Sequence, residues 1–354
     1  MECPVYSVLR DYILQDRSWL TVVRGPIRFI ITVHFAKIGM TEWGKKYLRR
    51  IGILPQDDDS SPSMSSQGGF DFDMVVAACL PLILELSPTP SIQGLRVEQL
   101  CKSPTYHLEL VGSPEGDGEG DVRVEQNSRT TYEPSHNLCP VPFSELPTIC
   151  QGIPRIPASI LILATSDGDS DPRAIKNPQG KVLTSDGRAM YFKPRMGEPQ
   201  FHRELDILNR IKELRLRDES VENRFPDLIG IVVSTDEQGG EMAVGLLMTL
   251  ISSSPDGADL LRAGTQERFE LHEVWKTQVM RMVGVLHEHG LVWGDVNPGN
   301  VVIDDASQAW LVDFGGRNNA EFVDDALMET EEGDWQGVGR LFEEWLPRPT
   351  YQCL

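Results

Sequence analysis

The sequence predicts an α+β fold whose second half carries the chemistry, and three observations support that expectation. From residue 158 onward, short apolar strands alternate with two amphipathic helices. A Pro-rich stretch, TYEPSHNLCPVPFSELPTICQGIPRIP at 131–157, sets this part off from a differently patterned N-terminal part. Near the far end, VWGDVNPGNVVID at 292–304 and AWLVDFGG at 309–316 put carboxylates and amides on a turn and a hairpin.

Residues 1–56 form an opening region. The segment DDDSSPSMSSQGG at 57–69 then reads as a disordered linker, because it has almost nothing to bury. Residues 70–150 read as a strand-containing extension. In it, VVAACLPLILEL at 75–86 is a buried strand or a short helix, which period alone does not decide. HLELV at 107–111 and DVRVE at 121–125 flank the acidic loop GSPEGDGEG as a hairpin.

Beyond the Pro-rich boundary, ILIL at 160–163, GKVL at 180–183 and AMYFK at 189–193 read as strands, the last two joined by a turn at Ser185-Asp186-Gly187. A helix from about Glu198 carries Phe201, Leu205, Leu208, Ile211 and Leu214 on one face. LIGIVVS at 228–234 and MAVGLLMTLI at 242–251 are two further strands, and SSSPDG at 252–257 is a polar connector. A long helix over about 267–289 comes next, with Leu271, Trp275, Val279, Met282 and Leu286 as its apolar stripe. His287 and His289 at its end point to different faces and read as a solvated terminus rather than a metal pair.

Composition narrows the function. The chain has 354 residues, a formal charge of −20 and a pI near 4.8, which argues against nucleic acid and anionic membrane surfaces as partners. Six cysteines lie scattered without C-x-x-C or zinc spacing, and are expected to be reduced thiols. Arg10, Asp11, Asp16 and Arg17 interrupt any signal-peptide core, and the apolar run at 27–38 is too short to span a bilayer. The expectation is an intracellular protein, cytoplasmic first, with the nucleus left open.

Asn-Pro-Gly-Asn at 297–300 is turn chemistry in its own right, since Pro298 fixes φ and Gly299 is expected to supply positive φ. The neighbouring residues give that turn a chemical context. VVID at 301–304 and AWLVD at 309–313 bracket a four-residue loop as a hairpin; if Asp304 faces Ala309, Asn300 falls opposite Asp313 on the same face. Asp295 lies five residues before Asn300 and can reach the same neighbourhood. Oxygen ligands of this kind suit Mg²⁺ on a nucleotide, with a second carboxylate left as a base.

GDVNPGN and DFG, in this order and spacing, resemble the catalytic loop and metal-binding motif of the protein kinase-like superfamily. Lys193 ends the strand AMYFK and Glu204 falls in the next helix, as the superfamily's phosphate lysine and its glutamate partner do. The resemblance implies a bilobal fold, with a small antiparallel β-rich lobe carrying one helix over 158–251 and a shortened, mainly helical lobe over 252–354. It implies ATP and Mg²⁺ as cofactors, with Asp295 acting on the attacking hydroxyl, Asn300 and Asp313 holding the metal, and Lys193, held by Glu204, on the phosphates. It also puts Gly180, Val182 and Met248 around the nucleotide. Asp334, in GDWQGVGRLFEEW, resembles the aspartate that supports the catalytic loop from below, and reads equally as a helix N-cap.

The departures are specific. Trp293-Gly294 stand where many protein kinases have His-Arg, so an arginine that would read a phosphorylated activation loop is missing. Asn297 stands where serine/threonine kinases keep a phosphate-contacting lysine, an interaction worth roughly a few kcal/mol at an effective dielectric near 20. GDSDPRAIKNPQGKV at 168–182 keeps Gly168 and Gly180 but no G-x-G-x-x-G, and no Ala-Pro-Glu follows Asp313. In overall character the chain is similar to divergent kinase-like proteins abundant in fungi. The leading expectation is phosphorylation of a protein hydroxyl. The alternatives are a nucleotide-binding pseudokinase, or a phosphotransferase for small hydroxylated molecules of the aminoglycoside- and choline-kinase type.

Overall fold

The computed structural model describes residues 6–55, 72–88, 93–113, 122–126, 130–134, 138–164, 179–197, 199–218, 223–253, 259–316 and 319–347. The linker at 57–69, Gly168, most of the acidic loop after Gly112 and residues 254–257 of the polar connector lie outside them. The chain is a mixed α+β protein of two compact units, residues 1–138 with 162–178, and residues 139–161 with 179–354.

Unit 1 opens with three antiparallel strands, β1 (Ser7–Ile13), β2 (Arg17–Arg24) and β3 (Ile27–His34). The helices α1 (Phe35–Ile38), α2 (Glu42–Arg50), α3 (Asp73–Leu86) and α4 (Val97–Cys101) come next, then β4 (Ser103–Gly112), β5 (Val122–Gln126) and β6 (Thr131–Glu133). β3 and β4 pair in parallel, a connection that needs a crossover, and α1–α4 lie in it. Because this pairing joins strands from both sides of 57–69, residues 1–56 and 70–138 form one unit and the expected division at the linker is corrected. The ambiguous run at 75–86 is a helix. Val75, Cys79 and Ile83 recur every four residues and are buried in one cluster with Leu20, Phe29, Ile31 and Val33 of the sheet. The expected β4–β5 hairpin is present, with Leu108 opposite Gln126 and Val111 opposite Arg123.

The Pro-rich boundary belongs to unit 2 from Cys139 onward. It supplies β7 (Val141–Pro142), which pairs with the strand at 241–249, and β8 (Arg155–Pro157), which pairs with the strand at 228–235. The chain then returns to unit 1 at β9 (Ile162–Leu163), where the Leu163 N–H donates to the Leu95 carbonyl at 2.8 Å. ILIL is therefore strand only in its last two residues, since Ala158–Ile160 is a 3₁₀ turn.

Unit 2 continues with β10 (Gly180–Leu183), β11 (Ala189–Pro194), helix α5 (Gln200–Glu213), β12 (Leu228–Thr235) and β13 (Glu241–Thr249). The strands run in the order β8, β12, β13, β11, β10. Helix α6 (His272–Glu288), the hairpin β14 (Val301–Ile303) and β15 (Ala309–Leu311), and helix α7 (Glu331–Gly339), which runs on into a π-helical turn at Arg340–Trp345, follow. Phe201, Leu205, Leu208 and Ile211 of α5 are buried as their spacing predicts, while Leu214 at its C-cap is 45% exposed. Trp275, Val279, Met282 and Leu286 of α6 join the same core as Trp293, Val301, Leu311 and Phe314, so the loop and hairpin bearing the motif residues are seated on packed side chains.

The hairpin register differs by one residue from the expectation. Val301 pairs with Leu311 and Ile303 with Ala309, because the turn closes between Asp304 and Gln308. The Asp304 carboxylate accepts from the N–H groups of Ala306 at 2.9 Å and Gln308 at 2.8 Å, and Ser307 takes a positive φ of 62°. Asn300 is consequently opposite Val312, whose N–H donates to its carbonyl at 3.1 Å, and Asp313 leaves the strand in a left-handed conformation at φ 58°.

Candidate active site

The site grows out of one strand, one helix and two loops of unit 2. Lys193 stands near the end of β11, where its strand partner is Leu246 of β13. Its Nζ lies 2.7 Å from Glu204 Oε2 and 2.9 Å from Asp313 Oδ1. Glu204 is 3% exposed on the buried face of α5, so its charge is tolerated only with a partner, and the lysine is that partner. Burial works against the Lys193 ammonium, but Glu204 and Asp313 outweigh it and hold its pKa above the usual value. Burial likewise pushes the Glu204 carboxyl up, with Lys193 opposing.

Asp295 is fixed by amides. Asn300 Nδ2 donates to Asp295 Oδ2 and to the Asp295 carbonyl, both at 2.9 Å, and Asn297 Nδ2 donates to Oδ1 at 3.1 Å. Asn297 Oδ1 in turn accepts from the Gly299 N–H at 2.9 Å, at the start of the 3₁₀ turn Pro298–Asn300, whose helical backbone leaves Gly299 without the expected positive φ. Asn297 thus braces the loop from within, which is a different task from the cationic one its position suggests. The Asp295 carboxyl is held above the ordinary carboxylate range by burial and then by Asp313, against the pull of Asn300, Asn297 and Lys193.

Below the loop, Asp334 is 1% exposed and ties the loop down. Its Oδ1 accepts from the Gly294 N–H at 2.8 Å; its Oδ2 accepts from the Trp293 N–H at 2.8 Å and contacts His287 Nε2 at 2.9 Å. The helix N-cap is Thr330, whose side chain accepts from the Gly333 N–H, so the N-cap reading of Asp334 is set aside. His287, expected at a solvated terminus, is instead packed in with a 7% exposed side chain. Trp293 is fully buried and its indole N–H donates to the Val312 carbonyl at 3.0 Å, which links the two loops. Removing the carboxylate strands two buried N–H groups and His287, and each such orphan costs about 1–3 kcal/mol. Asp334→Ala is therefore expected to lower the unfolding midpoint of unit 2 by roughly 5–15 °C in a circular-dichroism melt, and an unchanged midpoint contradicts this role.

Lys193, Glu204, Asp295 and Asp313 line a single cavity of about 420 Å³, together with Gln179, Gln200, Phe201, Gly315 and Gly316. Asn300 reaches it through Asp295 rather than by lining it. Gly180, Val182 and Met248 lie outside its lining: Val182 is fully buried, Met248 is part of the core, and Gly180 has open space where a Cβ would stand. Among the described residues no group of three or more His, Cys, Asp or Glu is arranged to hold a metal alone. A nucleotide-borne Mg²⁺ needs only one or two carboxylates beside its phosphates and waters, and the Asp313 carboxylate, which lines the cavity and faces a cation in Lys193, has the chemistry for that role. Sequence patterning does not single out Gln179, Gln200 or Arg203. Arg203 has a legible signal all the same, a cation immediately before the paired glutamate in FHREL.

No family model matches this chain. Its similarity is to kinases. A stretch of 113 residues is 28% identical to 3-deoxy-D-manno-octulosonic acid kinase of Xylella fastidiosa strain M23, and equally so to that of strain Temecula1 / ATCC 700964. The corresponding protein of strain 9a5c is 27% identical over the same length. The matched stretch is 32% of this chain and 41% of each relative, so less than half of their length is represented. These matches support a relationship to the kinase-like superfamily and a kinase-like phosphotransferase; being bacterial, they lend nothing to the fungal-type affiliation. Among the described residues no helix is long and apolar enough to cross a membrane.

Proposed function

We propose that unit 2 is an ATP- and Mg²⁺-dependent phosphotransferase. The observation that carries this reading is the Lys193 ammonium held between Glu204 and Asp313, with Asp295 lining the same cavity. Lys193 holds phosphate oxygens of the nucleotide, and Glu204 fixes the lysine in that position. Asp313 and Asn300 hold the metal, which supplies charge neutralisation on the phosphates when bound. Asp295, steadied by Asn297 and Asn300, orients the acceptor hydroxyl and takes its proton as the phosphoryl group moves across. Such transfer asks mainly for positioning and electrostatics, which these side chains supply.

The acceptor is the hydroxyl of a small polar molecule rather than of a protein, which reverses the order suggested by the sequence motifs. Two observations favour this. The relatives are named for a sugar acid, and the connection from Asp313 to the helix beginning at Glu331 is short and lacks an Ala-Pro-Glu motif. Incubation with γ-labelled ATP and Mg²⁺ against a panel of sugars, sugar acids, amino alcohols and peptides tests it. Label on a small hydroxylated compound is expected. Label on peptides alone restores the protein-kinase reading, and nucleotide binding without transfer to any acceptor establishes a pseudokinase.

A further inference from the structure

Arg203 lies beside Glu204 on α5 and turns away from the cavity toward the backbone of both functional loops. Its Nη2 donates to the Val292 carbonyl at 2.9 Å, and its Nη1 donates to the Trp293 carbonyl at 3.1 Å and to the Phe314 carbonyl. One planar guanidinium thereby joins the helix carrying Glu204 to the residues preceding Asp295 and the residue following Asp313. The backbone is shaped around it. A Cβ at Gly294, where φ is +77°, would stand 2.5 Å from Arg203 Nη2. One at Gly316, where φ is +69°, would stand 2.6 Å from Glu329 Oε1 and 3.0 Å from Arg203 Cδ.

Glu329 completes the arrangement. Its Oε1 is 4.0 Å from Arg203 Nε, and its backbone holds φ at +53°, a conformation uncommon outside glycine. The next residue, Thr330, caps α7, so this carboxylate is anchored to a helix end. In kinases switched by phosphorylation, a new phosphate–arginine pair orders the segment after the metal-binding motif. Here a genetically encoded carboxylate, half exposed and at the outer limit of ion-pair distance, faces an arginine from α5, and the residue before Asp295 is a glycine that makes room for the arginine.

We propose that Arg203 is a positioning residue, a built-in latch that holds α5, and with it the Glu204–Lys193 pair, against the two loops without any phosphorylation. The proposal rests on the phosphotransfer reading of the cavity for its functional consequence, and on the carbonyl contacts for its structural one. A lysine at 203 keeps the charge but carries its donors on one nitrogen, which does not reproduce the fork that serves Val292 from Nη2 and Trp293 and Phe314 from Nη1. The two consequences are measured separately.

Hydrogen–deuterium exchange on the full chain reads the latch, comparing wild type, Arg203→Met, Arg203→Lys and Arg210→Met. Arg210 is the control, since it lies on the same helix and its side chain donates to the His289 carbonyl at 3.2 Å, at an exposed position. In Arg203→Met, exchange over 200–213, 291–295 and 313–316 is expected to rise together by about tenfold or more, with Arg203→Lys between it and wild type and Arg210→Met unchanged at 313–316. Phosphoryl transfer in Arg203→Met is expected to fall about 10²-fold, the effect of a displacement near 1 Å in the positioning of reacting groups. Phosphatase treatment of wild type is expected to leave the rate within about twofold. The latch is overturned if both Arg203 variants exchange like Arg210→Met in the two loops, or if phosphatase treatment removes most of the activity. A wild type without detectable transfer defeats the functional reading instead, and the exchange pattern still decides the latch.

Discussion

Asp295→Asn is expected to lower phosphoryl transfer by about 10²–10⁴-fold, the range for a positioned general base, while Mg²⁺-ATP binding is retained. The substitution keeps the shape of the side chain and removes its ability to take a proton. It also turns an amide toward Asn297 or Asn300, both of which donate to the carboxylate, so one of those contacts is lost. The pH profile gives an independent check with a defined sign. Burial and Asp313 raise the Asp295 carboxyl above its usual value, which disfavours the deprotonated base. The profile of kcat/KM, which reports the free enzyme, is therefore complete above that raised pKa and is lost as pH falls through it, so its acid limb lies above the ordinary aspartate value of about 3.9. In Asp295→Asn this limb disappears with the activity. A variant within tenfold of wild type removes Asp295 from the reaction.

Asp313→Ala is expected to weaken Mg²⁺-ATP binding by roughly 10²–10³-fold, because a metal contact of this kind contributes several kcal/mol. Asp313 is held away from ordinary strand geometry at φ 58°, and its Oδ1 sits 2.9 Å from Lys193. Its removal takes away the carboxylate proposed to hold the metal and one of the two anions facing the lysine. Isothermal calorimetry with and without Mg²⁺ separates these effects. Wild type gains strongly from the metal and the variant gains little, whereas equal gains in both contradict the assignment.

Much of the site was legible because its parts are local. Lys193 and Glu204 are eleven residues apart on adjoining elements, Asp295 and Asn300 share one turn, and the apolar stripes of α5 and α6 repeat at helical spacing. The hairpin register departs from the one the pattern predicts because Asp304 closes its own turn through two backbone amides, a choice that hydrophobic pattern does not reveal. Asp334 is legible only through the resemblance of its motif, and Arg203 only as a cation beside Glu204 in FHREL; their partners are not, because Asp334 meets His287 across 47 positions and Arg203 reaches carbonyls roughly ninety and more residues away, contacts without a periodic signature. The unity of residues 1–138 was hidden by the linker, since a parallel pairing of β3 with β4 leaves no mark at the segment between them.

A crystal structure of the full chain with Mg²⁺ and a non-hydrolysable ATP analogue tests the central claim most directly. The expected result is the nucleotide phosphates in the cavity against Lys193, with the metal about 2.0–2.1 Å from oxygens of Asp313 and Asn300 and Asp295 facing the γ-phosphate across an open acceptor position. A nucleotide bound away from this cavity, or a metal held without Asp313, contradicts it.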